Sequence, residues 1–98
     1  MNEKDKQIVQ DLEAKYDDFL VTMEQLQESL DAFNKGYKNY LELNHFYGSK
    51  KWLELYEQST EGIKCGILSQ DQLYDFIIMH NELISELLEL ATKMYKNI

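Results

Sequence analysis

Apolar side chains recur along the first half of the chain with the spacing of a heptad helix. They fall at Ile8, Leu12, Tyr16, Phe19, Met23, Leu26, Leu30, Phe33, Tyr37 and Tyr40, and after Leu12 the steps alternate between four and three residues. Polar residues fill most of the positions between them, as on the solvent-facing side of an amphipathic helix. The pattern predicts one helix over residues 3–47, with Asn2 as its N-cap and Gly48 as its stop.

Gly36 lies inside this predicted helix, where a glycine costs about 1 kcal/mol relative to alanine. The heptad phase nevertheless continues from Phe33 to Tyr37 and Tyr40. Because a break would shift that phase, the sequence favours an uninterrupted helix, curved at Gly36 if it departs from a straight axis.

A second amphipathic segment is predicted over residues 70–96. Its apolar positions are Leu73, Ile77, His80, Ile84, Leu87, Ala91 and Met94, again with steps of four and three. Ser69 with Gln72 three residues later forms the pattern of a capping box, and Leu68 with Leu73 has the spacing of a hydrophobic staple. These signals place the start of the helix at Gln70.

Between the two long segments we expect a short helix over residues 50–58, capped by Ser49, and a loop over residues 59–68. The fold class predicted is all-α. It consists of an antiparallel, coiled-coil-like long helical hairpin with a short connecting helix, forming a helical bundle as a single domain over residues 1–98.

The first long helix exceeds the second by more than about 20 Å at 1.5 Å per residue. The N-terminal part of the first helix would therefore lack a partner in the hairpin, unless the short helix covers more of it than expected. An apolar surface left in water favours self-association. We predict a homodimer joined along a seam of five residues, Ile8, Leu12, Tyr16, Phe19 and Met23.

The charge and composition exclude several functions. The net charge is −8, which repels phosphate backbones, so nucleic acid is not an expected partner. The longest run of apolar residues, Phe76 to Met79, is far shorter than the ~20 residues of a membrane span, and no signal peptide is recognised, so no membrane partner is expected. A single cysteine requires no oxidising compartment, and the expected location is the cytoplasm.

Candidates for chemistry are few. Glu42 and His45 share the Glu-x-x-His spacing of di-iron bundles, but the further carboxylates and the second such pair are missing. His80 is interpreted as a partly buried histidine of the helix seam, hydrogen-bonded across the bundle, and Cys65 as a packed loop residue without a positioned base. No catalytic, cofactor or metal site is predicted, and we expect the protein not to be an enzyme.

The connecting region also carries a recognisable pattern, Y-G-S-x-x-W from Tyr47 to Trp52 and K-x-G-I-L-S-x-D-x-x-Y-D from Lys64 to Asp75. It resembles a family of small bacterial helical proteins known only as a domain of unknown function and common in Gram-positive bacteria. The segment before Lys64 is shorter than is usual in that family and lacks a proline, and His80 replaces a more frequent Asn. The residues of this structural signature are Gly48, Ser49, Gly66, Leu68, Ser69, Asp71, Gln72, Leu73 and Tyr74.

The resemblance implies an all-α fold in a bacterial cytoplasm and no activity. From the residues, we expect a small, acidic, non-enzymatic interaction module that self-associates and binds an unidentified protein partner. Residues 35–64 carry a net charge of +1 while both flanks are acidic, so the candidate interaction patch is Tyr47, Lys50, Lys51, Trp52, Lys64 and Cys65. The alternative is a bundle that binds a small ligand or acts as an enzyme through a polar site near Glu42, His45, Tyr47 and Trp52.

Overall fold

The computed structural model describes residues 1–58 and 61–98, and within these ranges every regular element is helical. Helix α1 spans Glu3–Phe46, α2 spans Lys50–Tyr56 and α3 spans Gln70–Tyr95, with a 3-10 turn at Gly66–Leu68 before α3. The fold is an all-α helical hairpin, as the hydrophobic periodicity predicted.

The chain divides into two compact units. Unit 1 covers Met1–Lys38 and unit 2 covers Asn39–Ile98. Unit 1 consists of Met1, Asn2 and roughly the first ten turns of α1. Its start is capped as expected, because the Asn2 Oδ1 accepts a hydrogen bond of 2.7 Å from the Asp5 backbone N–H. None of the residues of α1 is buried.

Gly36 does not interrupt α1, which is helical from Glu3 through Phe46. A methyl group added to Gly36 would meet no atom within 4 Å. The helix therefore accepts glycine here without needing its small size, in agreement with the continuous heptad phase around it.

Unit 2 begins inside α1, at Asn39, and contains the reversal of the chain after that helix. Gly48 adopts a φ of +74°, the left-handed conformation that glycine reaches without steric cost. Ser49 then caps α2 by accepting a hydrogen bond of 3.1 Å from the Trp52 backbone N–H to its Oγ. Helix α2 ends at Tyr56, two residues before the predicted end. Glu57 is its C-cap, and the Gln58 backbone N–H donates a hydrogen bond of 3.0 Å to the Leu55 carbonyl.

The segment predicted as a loop is partly ordered into the 3-10 turn. The predicted loop also includes Ser59 and Thr60, which lie outside the described residues. Ser69 follows the turn and caps α3, since its Oγ accepts from the Gln72 backbone N–H at 3.2 Å and donates to the Gly66 carbonyl at 2.8 Å.

The capping box predicted at Ser69 is only half formed. Its second half would join the Gln72 side chain to the Ser69 backbone N–H, but that N–H donates to the Gly66 carbonyl instead, at 3.0 Å. The 3-10 turn thus supplies the partner that the glutamine was expected to provide. The Gln72 side chain lies against Gly66, in the space that a larger residue there would need.

The core of unit 2 is small. Trp52 and Leu73 are the buried apolar residues of the described chain, and they bring α2, the 3-10 turn and α3 together. Phe46 at the end of α1 shares a pocket with Ile67, and Tyr40, earlier in α1, contacts Phe76 farther along the chain. This order of contacts is antiparallel, so the end of α1 and the start of α3 run in opposite directions.

Within the two described ranges, none of the helices combines the length and apolar content that crossing a membrane requires.

Candidate functional site

The connecting region is organised around Trp52. Its indole Nε1–H donates a hydrogen bond of 3.1 Å to the Ile67 carbonyl, which joins α2 to the 3-10 turn. The ring centroid of Tyr47 lies 5.6 Å away in an edge-on arrangement, and that of Tyr56 lies 5.3 Å away in a stacked one. Trp52 is 6% exposed, so it is a packing residue with a satisfied polar atom, as a buried tryptophan requires.

One side of this cluster borders a pocket that we call the aromatic pocket. It measures about 530 Å³ and is lined by Tyr47, Gly48, Trp52, Gln70, Asp71 and Tyr74. Helix α3 supplies Asp71 and Tyr74, which are three residues apart and therefore on one helical face. The end of α1 and the start of α2 supply the other two aromatic rings.

A second pocket, which we call the Cys65 pocket, measures about 220 Å³. Its wall is mostly aliphatic and aromatic, with Gln58, Lys64 and Cys65 as the polar members and Phe46, Leu55, Ile63, Ile67 and Leu68 as the apolar ones. Cys65 is a free thiol of intermediate exposure. It belongs to a pocket wall, which agrees with its interpretation as a packed loop residue.

The structure thus distributes the predicted interaction patch over two pockets. Tyr47 and Trp52 line the aromatic pocket, whereas Lys64 and Cys65 line the Cys65 pocket. Lys50 and Lys51 are exposed and line neither; the Lys51 ammonium lies 3.9 Å from the Glu54 carboxylate on the surface of α2.

One protein-family model matches most of the chain, including the whole connecting region. The model of a domain of unknown function, DUF4298, matches residues 9–90. The chain belongs to this family. No match to a curated protein was found. The matched range includes α1 from Val9 onward, α2, the 3-10 turn and most of α3, so both pockets lie within the DUF4298 domain.

Several residues of the structural signature predicted from the sequence occupy structural positions in the connecting region. Gly48 reverses the chain, while Ser49 and Ser69 cap α2 and α3. Leu73 is 2% exposed and forms the core with Trp52. Asp71 and Tyr74 belong to the same predicted signature, but they are exposed and line the aromatic pocket.

The alternative polar site does not converge on one pocket. Glu42 lines a shallow surface pocket of about 460 Å³ with Asn39, Leu43, Phe46 and Ile67. Tyr47 and Trp52 line the aromatic pocket instead, and the His45 side chain is exposed. Within residues 1–58 and 61–98, no three His, Cys, Asp or Glu side chains come together in an arrangement able to hold a metal ion.

His80 packs across the hairpin. Its ring stacks on Tyr40 of α1, with centroids 3.8 Å apart and planes inclined by 9°. Its Nδ1 lies 3.0 Å from the Oδ1 of the neighbouring Asn81. The partly buried position agrees with its interpretation as a seam residue. Its contact with Tyr40 of α1 is a ring stack, whereas a hydrogen bond across the bundle was expected.

The sequence assigned Asp71 and Tyr74 to the structural signature at the start of α3 and did not indicate that they border a pocket. Their spacing of three residues indicates a shared helical face, but it does not show that Tyr47 and Trp52 lie opposite that face. The reversal at Gly48 and the Trp52–Ile67 hydrogen bond create that proximity.

Proposed function

We propose that this protein is a non-enzymatic interaction module that works as a homodimer, joined along the seam of α1. The observation that carries the proposal is the exposure of that seam. Ile8, Leu12, Tyr16, Phe19 and Met23 are each 49–62% exposed, although all are large and apolar. A continuous apolar stripe of this kind is typical of a protein-binding surface.

The length of the stripe suits a helical partner. Beyond Met23 it continues through Leu26, Leu30 and Phe33, which are also exposed. From Ile8 to Phe33 the stripe extends about 38 Å at 1.5 Å per residue. This corresponds to more than three heptads, the length over which heptad spacing indicates a coiled coil.

The placement of charge favours a second copy of this chain on the seam. At about 100° per residue, every acidic side chain between Ile8 and Phe33 lies roughly 90° or more around the helix from the centre of the seam. Two copies can therefore join their seams while their carboxylates point away from each other. An identical stripe is also self-complementary under two-fold symmetry, the commonest symmetry of homodimers.

The acidic exterior defines the kind of further partner that we propose. Residues 1–34 carry nine acidic side chains against three lysines. Such a surface attracts a protein with a basic face and repels nucleic acid. We place this activity in the cytoplasm, since the one cysteine needs no oxidising environment.

Co-purification of two differently tagged full-length copies tests the dimer. The copies are expressed together, one tag is captured and the other is measured in the eluate. We expect wild-type copies to co-purify. The substitution Phe19→Asp, made in both copies, abolishes co-purification because it places a charge in the seam.

The matched control is Val21→Asp on the same helix. Val21 is also more than half exposed but lies on the opposite face from the seam. The variant Val21→Asp introduces the same charge, and we expect it to leave co-purification intact. If wild-type copies fail to co-purify, or if Phe19→Asp and Val21→Asp behave alike, the proposed dimer is wrong.

A further inference from the structure

We propose that the aromatic pocket binds an organic cation, of the trimethylammonium or lysine ammonium type. Its wall contains three aromatic side chains, Tyr47, Trp52 and Tyr74, and one charged side chain, Asp71. Aromatic faces attract cations through their negative quadrupole, and a carboxylate adds a full opposite charge. The proposal is independent of the dimer, because all of these residues belong to unit 2.

The arrangement of the rings suits a compact cation. Tyr47 meets Trp52 edge-on with an interplanar angle of 70°, and Trp52 is 6% exposed. Trp52 therefore forms the back of the pocket, and Tyr47 and Tyr74 are the rings that a cation can reach. Trp52 is held in place by its hydrogen bond to Ile67 and by the stacked Tyr56. This side of the pocket is therefore pre-organised, which reduces the entropy lost on binding.

The most exposed ring of the site is Tyr74. It is 54% exposed and stands on the first turns of α3, one helical step from Asp71. A bound cation would cover the exposed ring and lie near the carboxylate. The pocket volume of about 530 Å³ falls within the common range for small-molecule sites.

An anion is the less suitable ligand, even though the pocket lies at the N-terminus of α3. The helix dipole places about half a positive charge at that end. The Asp71 carboxylate in the first turn contributes a full negative charge and is the one charged side chain among those that line the pocket. The Gln72 N–H that could bind an anion already donates to the Ser69 Oγ.

The test uses the indole resonance of the full-length protein. Trp52 is the only tryptophan, so a two-dimensional nitrogen–proton spectrum contains one indole signal, from a group in the pocket wall. We titrate the protein with choline and, separately, with 3,3-dimethylbutan-1-ol, which has nearly the same shape but no charge. We expect a saturable shift with choline and a much weaker response to the neutral alcohol.

Two pairs of variants identify the groups responsible. Tyr74→Leu weakens choline binding by about two- to fivefold, whereas Tyr74→Phe, which keeps the aromatic face, retains it. Asp71→Asn weakens binding by about two- to fivefold. Asp75→Asn, which removes a carboxylate one turn farther along α3 and outside the pocket wall, leaves it unchanged.

A third titration with a short lysine-containing peptide separates two sources of the cation. Tighter binding of choline indicates a small-molecule ligand, and tighter binding of the peptide indicates a side chain of a partner protein; either result supports a cation site. The proposal is overturned if neither cation shifts the indole signal, if the neutral alcohol binds as well as choline, or if Tyr74→Leu and Asp71→Asn bind choline like the wild type.

Discussion

Trp52 contacts several elements of the connecting region and holds them together. Its side chain reaches from α2 to the 3-10 turn through the indole hydrogen bond to Ile67, fifteen residues away in the sequence. It also contacts Tyr47 and Tyr56 through its ring. Because the described core contains only one other buried apolar residue, Leu73, losing these interactions removes a large part of what holds unit 2 together.

We expect Trp52→Phe to lower the free energy of unfolding by about 1–3 kcal/mol, since it removes the indole donor from the Ile67 carbonyl and leaves unfilled volume in the core. Urea denaturation followed by far-UV circular dichroism measures the change. The control is Tyr56→Phe, which keeps the stacked ring and removes a hydroxyl from a residue that is largely exposed. An unchanged midpoint for Trp52→Phe would show that the indole bond contributes nothing.

Two glycines, one inside α1 and one just after it, differ in whether the backbone conformation requires glycine. Gly48 has a φ of +74° and ends α1 by reversing the chain, whereas Gly36 lies within the helix and has no atom within 4 Å of an added methyl group. The first position needs glycine for its backbone conformation, and the second does not.

We therefore predict that the same substitution has opposite effects at these two positions. Gly48→Ala destabilises the protein by about 1–2 kcal/mol, the cost of a left-handed conformation for a residue with a side chain. Gly36→Ala stabilises it by about 0.5–1 kcal/mol, since alanine favours the helix interior. Thermal unfolding of the two variants beside the wild type provides the measurement. Destabilisation by Gly36→Ala would mean that α1 is not a regular helix there.

The sequence was informative wherever a short-range signal determines the structure. Heptad spacing predicted α1 and α3. Local backbone chemistry marked the end of α1 at Gly48 and the starts of α2 and α3 at Ser49 and Ser69. The sequence was less informative about the 3-10 turn at Gly66–Leu68, which takes over the hydrogen bond expected from Gln72. The Ser69 N–H donates to Gly66 because of the turn geometry before the cap, and the Ser-x-x-Gln pattern carries no information about that turn.

The pockets were not predictable for a similar reason. The aromatic pocket combines Tyr47 and Trp52 with Asp71 and Tyr74, residues separated by some twenty positions in the chain. Periodicity shows which residues share a helical face but not which faces of different helices meet. The patch predicted from charge grouped Trp52 with Lys64 and Cys65, whereas the fold places Trp52 in one pocket and the other two residues in another.

At the scale of the whole molecule, the main feature is how little of the apolar surface of residues 1–58 and 61–98 is covered. Unit 2 has the small core of Trp52 and Leu73, and unit 1 contains no buried residue. A chain of this size gains limited stability from so small a core. Association of two copies would bury the seam of α1, and it would make the stability depend on protein concentration.

Sedimentation equilibrium of the full-length protein tests the proposed dimer most directly. At tens of micromolar, we predict a mass twice the 11.7 kDa of one chain for the wild type and for Val21→Asp. Phe19→Asp is predicted to sediment with the mass of a single chain, because its charge lies in the seam. A wild-type mass of 11.7 kDa at this concentration would contradict the account.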